Sequence, residues 1–306
     1  MKSLLKSILM VVMAITILVA CSKTPNSQNS KENTRIYHSE TGDIQVPANP
    51  KRIAVLAHTY AGNLLQLGIT PIAVNDWPKK NKFYEGKLDK VEVVSEDSYE
   101  KLLSLKPDLI ITYSDDKNLK KYREIAPTIA LTYTKYNYLE QHIEIGKIVG
   151  KEKEARAWVE QWKKKVAEEK KKVHDAIGKD ATVTVLETFG KDLYVYGKNW
   201  GRGTEVIYQA LELQAPQKLK QDVFGPGYKA ISSEVIPQYA GDYLFVGEGS
   251  NTQNTFMETD VWKNIPAVKE GRVIKFDSDS FYFNDPISLE KELKFIVREL
   301  VKHKTK

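Results

Sequence analysis

Between Glu152 and Ile177 the chain carries an uninterrupted helical pattern that stands in the middle of the sequence, with nothing to break it before Gly178. Ala155, Trp158, Val159, Trp162, Val166, Val173 and Ile177 share one stripe, and lysines and glutamates fill the rest. At 1.5 Å per residue such a helix spans about 40 Å. Set between two halves of similar make-up, it reads as a rigid strut joining two domain-sized lobes rather than as one more packing helix.

Each half alternates short β-rich runs with helical-period stretches. In the first half the strands are expected at 44–46, 52–56, 72–74, 108–113 and 128–133, and the helices at 61–67, 99–105, 119–125 and 138–149. In the second half they fall at 182–186, 193–196, 243–246 and 272–276, with helices at 204–211, 233–239 and 288–301. This alternation predicts an α/β fold with parallel-rich sheets covered on both faces. Two such lobes would face each other across a cleft lined by the loops that leave the carboxyl ends of the strands.

The opening residues speak to location. Lys2 and Lys6 precede an apolar run that ends in Leu18-Val19-Ala20-Cys21, a small-residue cleavage site closed by the chain's only cysteine. That is the pattern of a lipoprotein signal peptide over 1–20 with lipidation at Cys21. The run, about 13 residues, falls short of the ~20 that a membrane-spanning helix needs. Lipid on Cys21 would instead hold the protein at a membrane surface. Residues 21–36 are mostly polar and read as a tether. The expected layout is then a lobe over 37–150, the strut over 151–178 and a second lobe over 179–306.

Cleavage would remove Lys2 and Lys6 and lower the formal net charge from +6 to +4. The remaining lysines cluster at 163–165, 170–172 and the C-terminus without interleaved aromatics, so they read as solvated faces and argue against a nucleic-acid groove. With one cysteine, no disulfide can form within the chain, and the fold must rest on its core.

Enzyme signatures are missing: there is no Gly-x-Ser-x-Gly elbow, no His-Glu-x-x-His, no phosphate-cradling loop and no Gly-x-Gly-x-x-Gly after a strand. The histidines do not form a metal-ligand pattern either. His38 lies near the tether, His142 and His174 fall on helices, and His303 is in the tail; His58 alone follows a first-lobe strand, in a candidate cleft loop. What recurs at strand ends is aromatic: Tyr60, Trp77, Tyr113, Tyr133, Trp200, Phe281, Tyr282 and Phe283. Taken together they predict a cleft with apolar walls and a few orienting polar groups. The sharpest segment is Tyr194-Val195-Tyr196-Gly197-Lys198-Asn199-Trp200-Gly201-Arg202-Gly203. Its three glycines allow a tight turn before a helix. Arg202 brings a planar fork suited to two adjacent, negatively polarised oxygens, such as those of a coordinated hydroxamate.

At these residues the chain resembles the ferric-hydroxamate (ferrichrome-type) substrate-binding lipoproteins of Gram-positive bacteria. The resemblance runs from the lipobox through Thr59-Tyr60-Ala61-Gly62, Lys106-Pro107-Asp108-Leu109-Ile110-Ile111, Trp200-Gly201-Arg202-Gly203, Tyr239-Ala240-Gly241-Asp242-Tyr243 and Asn284-Asp285-Pro286-Ile287-Ser288. It implies two Rossmann-like lobes joined by one long helix, the architecture of class III substrate-binding proteins, with limited hinge motion. It implies that Trp200 and Arg202 meet the iron-hydroxamate centre, with Tyr194, Tyr60, Tyr113, Tyr133 and Tyr282 as further wall candidates. His58 and Tyr282 depart from the residues that some relatives carry there. Glu100 and Glu234 match the glutamates that dock such proteins to arginines of an ABC-importer permease. The ligand is then an iron(III)-siderophore complex, which wraps its own iron, so no cofactor and no protein metal ligand is expected, and the chain is expected to be a monomer. Competing readings are a receptor for a catecholate, citrate-type or corrinoid ligand, a direct manganese or zinc receptor, and a surface enzyme acting on a chelate.

Overall fold

The computed structural model describes residues 33–303, apart from Glu96 and Asn251. The expected signal peptide and Cys21 lie outside the described residues. Folded structure begins at Thr34, inside the span expected to be tether: β1 (Thr34–Ser39) pairs antiparallel with β2 (Gly42–Pro47). Tyr37 and Val46 are the buried residues of this hairpin, and the Tyr37 hydroxyl donates to Glu144 at 2.6 Å.

The first five-stranded sheet is built from β3 (Ile53–Val55), β4 (Ala73–Val74), β5 (Glu92–Val93), β6 (Leu109–Tyr113) and β7 (Thr128–Leu131) in the order β5-β4-β3-β6-β7. Each of its pairings is parallel. The strands nearest the middle are continuous apolar runs because helices cover both faces: Ile53, Ala54, Val55, Leu109, Ile110 and Ile111 are all buried. Four helices follow the strands: α1 (Ala61–Gln66), α2 (Tyr99–Ser104), α3 (Leu119–Ile125) and α4 (Tyr138–Ile148). The strand order reverses between β3 and β6, and this opens a crevice beyond their carboxyl ends.

The second sheet has the same spatial order, β10-β9-β8-β11-β12, from β8 (Val183–Phe189), β9 (Asp192–Tyr196), β10 (Tyr228–Ile231), β11 (Tyr243–Glu248) and β12 (Val273–Asp277). Here only β8-β11 and β11-β12 are parallel; β9 runs antiparallel to β8, and β10 to β9. The reason is local. Gly190-Lys191 closes a two-residue hairpin between β8 and β9, with Gly190 at φ +64°, leaving no room for a crossover helix.

The central pattern folds as α5 (Glu152–Ile177), a helix of 26 residues. Two tryptophans one turn apart anchor its N-terminal half. Trp162 Nε1 donates to the Tyr138 hydroxyl on α4 at 3.2 Å, and Trp158 Nε1 donates to Glu290 at 3.0 Å. Glu290 belongs to the C-terminal helix, since α6 (Gln217–Val223) is followed by α7 (Pro286–Lys302) among the longer helices. Asp285 caps α7 by accepting from the N–H groups of Ile287 (3.0 Å) and Ser288 (3.2 Å), with Pro286 in the first turn.

The strut is not alone in joining the lobes. Ile287, at the start of α7, packs into the first lobe's core. The segment before β5 reaches the other way: Asn81 donates to Ser288 at 2.9 Å, Tyr84 to Asp285 at 2.8 Å, and Lys82 pairs with Asp277. Gly62 is the contact point on α1, where a Cβ would overlap the Asp285 carboxyl.

Candidate functional site

The carboxyl ends of the strands of both lobes meet around a cavity of about 250 Å³ lined by His58, Thr59, Tyr113, Asp115, Tyr133, Trp200, Arg202 and Tyr282. Of the aromatics expected there, Tyr113, Tyr133, Trp200 and Tyr282 are brought together, and His58 joins them. The rings form a continuous chain: His58 to Tyr113 (5.1 Å between centroids), Tyr113 to Tyr133 (6.0 Å) and Tyr133 to Trp200 (5.6 Å), each edge-to-face. The last of these contacts crosses from one lobe to the other. So does the hydrogen bond of 3.3 Å between the Tyr282 hydroxyl and His58 Nε2.

Trp77 lies to one side. Its ring stacks on Tyr282 at 4.8 Å and on Phe189 at 6.0 Å, and it lines an adjoining crevice of about 490 Å³ that shares His58, Tyr113 and Asp115 with the cavity. Other expectations need correction. Tyr60 is 1% exposed and supports Tyr113 from beneath (5.3 Å) instead of facing the cavity. Tyr194 stands outside it, reaching Trp200 only through Tyr228 (5.9 Å and then 4.9 Å). Phe281 and Phe283 are core residues, packed on Phe83 and Tyr84. Glu100, in the first turn of α2, and Glu234, in the turn after β10, are exposed.

Arg202 is not a solvated turn residue. It is 6% exposed, and its Nε donates to Glu187 on β8 at 2.6 Å while Nη1 donates to the Trp200 carbonyl at 3.2 Å. Its guanidinium lies 4.5 Å from the centroids of both Tyr196 and Tyr282. Burial alone would lower its pKa, but the Glu187 carboxylate and the neighbouring phenols raise it, so the side chain stays charged. Of the five N–H donors, one meets Glu187 and another the Trp200 carbonyl, and the guanidinium also lines the cavity.

The backbone that presents this arginine is unusual. Gly201, Arg202 and Gly203 are all left-handed, with φ of 67°, 59° and 76°. For arginine that conformation costs about 1–2 kcal/mol. It is held by the Arg202 N–H, which donates to the Phe281 carbonyl at 2.5 Å. Gly201 is obligatory, since a Cβ there would meet the Tyr282 carbonyl oxygen at 2.4 Å. Beyond the turn the expected α-helix is instead a π-helical stretch, Glu205–Ala210, whose wide turns show in the Leu211 N–H to Val206 carbonyl bond of 2.8 Å.

Burial sets the protonation states. The His58 pKa is lowered to about 4 by desolvation and then by Arg202, so the ring is neutral at neutral pH. Desolvation raises the phenols of Tyr113, Tyr133 and Tyr282, which therefore stay protonated. Among the described residues no group of three or more His, Cys, Asp or Glu side chains could hold a metal ion. The site offers neutral aromatic walls, hydroxyl donors and one guanidinium whose charge Glu187 already balances.

Sequence reasoning missed Glu187, Tyr196 and Tyr228. The continuous burial-prone run of β8 could have signalled Glu187, an acid within a strand buried along nearly its whole length. A larger cavity of about 830 Å³ lies beneath the β1-β2 hairpin, but its rim of charged side chains is largely tied up in internal pairs such as Lys147-Glu144 and Arg156-Glu152, and it lacks the ring lining of the cleft.

Comparison with known proteins places these features. The model of the family described as periplasmic binding protein matches residues 53–280. The iron(3+)-hydroxamate-binding protein FhuD of Bacillus subtilis (strain 168) is 40% identical, over 94% of this chain and 95% of that one. From the same organism, the iron(3+)-hydroxamate-binding protein YxeB is 38% identical over 97% of each chain. The structure of FhuD2 from Staphylococcus aureus with bound ferrioxamine B superposes with a TM-score of 0.80 at 40% identity, covering 83% of this chain and 99% of that one.

Proposed function

The chain belongs to the periplasmic binding protein family, and from that premise we propose that it is the lipid-anchored receptor of an ABC importer, capturing iron(III)-hydroxamate siderophores in the interlobe cleft. The observation that carries this reading is the pairing of Arg202 with Glu187 behind walls of neutral rings. A ferric trishydroxamate is nearly neutral and presents pairs of polarised oxygens; the guanidinium of Arg202 suits those oxygens, and the rings of Trp200, Tyr133, Tyr113 and Tyr282 cover the organic shell. A ferric triscatecholate carries about three negative charges, and burying it here would leave them uncompensated. The chelator supplies the oxygens around iron, so the protein supplies shape and donors rather than metal ligands or catalysis.

Placement supports delivery to a permease. Glu100 comes after β5 and Glu234 after β10, strands that run in the same direction as β3 and β8, so both glutamates stand at the ends of the sheets that line the cleft. Exposed there, they are the residues for docking to permease arginines, while lipid on Cys21 keeps the monomer at the membrane. No helix among the described residues is long and apolar enough to cross a membrane.

The test is quenching of tryptophan fluorescence on titrating the protein, made from Lys23 onward, with ferrichrome, ferrioxamine B, a ferric triscatecholate and free iron. Saturable binding of a hydroxamate, lost on Trp200→Ala, supports the reading. Preference for the catecholate or for free metal sinks it, and release of a modified chelate after incubation would favour an enzyme.

A further inference from the structure

Behind the cleft wall, out of reach of any guest, Glu205 is 1% exposed and ringed by donors. Its Oε1 accepts from the Gly201 N–H at 3.1 Å and from the Asn284 side-chain amide at 3.1 Å. Its Oε2 accepts from the Thr204 hydroxyl at 3.2 Å, and that hydroxyl in turn accepts from the Trp200 N–H at 3.2 Å. These bonds grip the backbone on both sides of Arg202, across the three left-handed residues. We infer that Glu205 is a positioning residue of the cleft: its carboxylate holds the left-handed turn that presents Trp200 and Arg202 to the cavity.

The alternative is that Glu205 merely fills space. Space-filling does not explain an acid at this place, because burying a carboxyl is costly unless its oxygens are met by donors, and here both oxygens are met by groups that belong to or flank one turn. Nor is Glu205 the partner of a buried cation: Arg202 pairs with Glu187 instead. Asn284 extends the grip to the other lobe, since its Oδ1 accepts from Gln141 of α4 at 3.4 Å. Asn284 also lies two residues from Tyr282, so one carboxylate fixes the relation between the turn and the segment carrying the opposing ring.

A nearby acid supplies the contrast. Glu292 on α7 is fully buried, and neither of its oxygens has a partner among the described residues. Burial, with Glu205 and Asp285 close by, pushes its pKa well above the usual carboxylate range; burial raises that of Glu205 too, but there the bonds from Asn284, Gly201 and Thr204 work against the rise. Glu292→Gln is therefore a control that alters a neighbouring buried acid whose oxygens make no hydrogen bond to the turn.

The inference deepens the functional reading above, and two readouts separate the fates of the two. The first is affinity for ferrioxamine B. Glu205→Ala should weaken it about tenfold or more, while Glu205→Gln, whose amide oxygen still accepts from Gly201 and Asn284, stays within about threefold of the parent, as does the Glu292 control. If the alanine variant does not fold, Glu205→Asp, whose shortened side chain withdraws from Gly201, should show the same weakening. The second readout is amide hydrogen exchange without any ligand. Protection should fall at Gly201, Arg202 and Thr204 in the alanine or aspartate variant and persist in the glutamine variant, with the rest of the second lobe unchanged. Unchanged protection at the turn, or loss spread evenly over the lobe, would overturn the inference, and both can be read even in a protein that binds no siderophore. Failure of the parent protein to bind ferrioxamine B would count against the functional reading alone.

Discussion

The two walls of the cleft are made differently. The first-lobe wall, His58, Tyr113 and Tyr133, leaves the ends of relaxed parallel strands, and its polar atoms find neutral partners: the Tyr113 hydroxyl meets the hydroxyl of Thr59 at 2.8 Å and its N–H at 3.2 Å. The second-lobe wall places a charged guanidinium on three successive left-handed residues and balances it with a buried glutamate from a strand 15 residues earlier. One wall is a surface; the other is a device held under strain. Backbone strain of this kind persists only where the surroundings over-determine it, as the bonds from Arg202 to Phe281 and from Gly201 to Glu205 do here. The second wall should therefore decide which chelates bind, and the first should contribute area.

The comparison can be broken most directly at Arg202. Arg202→Ala should reduce affinity for a ferric hydroxamate by about a hundredfold and cost about 3–5 kcal/mol of stability, because it strands Glu187 uncompensated in the interior. Fluorescence titration and denaturant unfolding measure the two effects. Pairing Arg202→Met with Glu187→Leu should restore most of the stability without restoring affinity, and recovery of both would mean that the ion pair is scaffolding only.

Gly201→Ala comes next. With φ at 67° and the Tyr282 carbonyl in the way, it should cost about 1–3 kcal/mol and weaken binding in parallel, read by thermal unfolding and titration. An alanine at Gly190, which is also left-handed but has open space around it, should cost less and leave affinity alone.

The neutral wall is probed by pH. His58 has a folded pKa lowered to about 4 from 6.5, so the unfolded chain takes up the proton first. Its contribution to stability is whole above pH 6.5 and is lost as pH falls from there towards 4, on the order of 3 kcal/mol. His142 is lowered to a similar value by burial and adds to the same slope. His58→Gln should flatten the acid side of the stability curve in part; an unchanged curve would show that the ring is more solvated than its surroundings imply.

The smallest effect is expected at Tyr133→Phe. It keeps the ring contacts with Tyr113 and Trp200 and removes only a hydroxyl, so affinity should change by about 1 kcal/mol or less. A loss as large as that at Arg202 would erase the distinction between the walls.

Much of the scaffold was legible because it is encoded locally. The stripe from Ala155 to Ile177 is periodic, and the runs at Ile53 and Leu109 are continuously apolar; neighbours along the chain suffice to specify each. The β8-β9 hairpin is legible too, in Gly190-Lys191, although the alternation of strands and helices elsewhere points to parallel pairing. The aromatic cleft was half readable. Residue type and strand-end position brought out Tyr113, Tyr133, Trp200 and Tyr282, yet the same rule selected Tyr60, Phe281 and Phe283, which the packing turned into the core.

The sequence by itself determined the central helix, most of the alternation of strands and helices, though not β1, β5, β10 or α6, and the glycines that let the chain pass through left-handed conformations around Arg202. Tertiary structure alone decided which rings face the cavity, that Glu187 neutralises Arg202, and that Tyr282 meets His58 across 224 residues. The physical reason is range. Periodicity and turn chemistry act between residues a few positions apart, whereas burial, charge pairing and the choice between wall and core exist only once distant segments have been packed together.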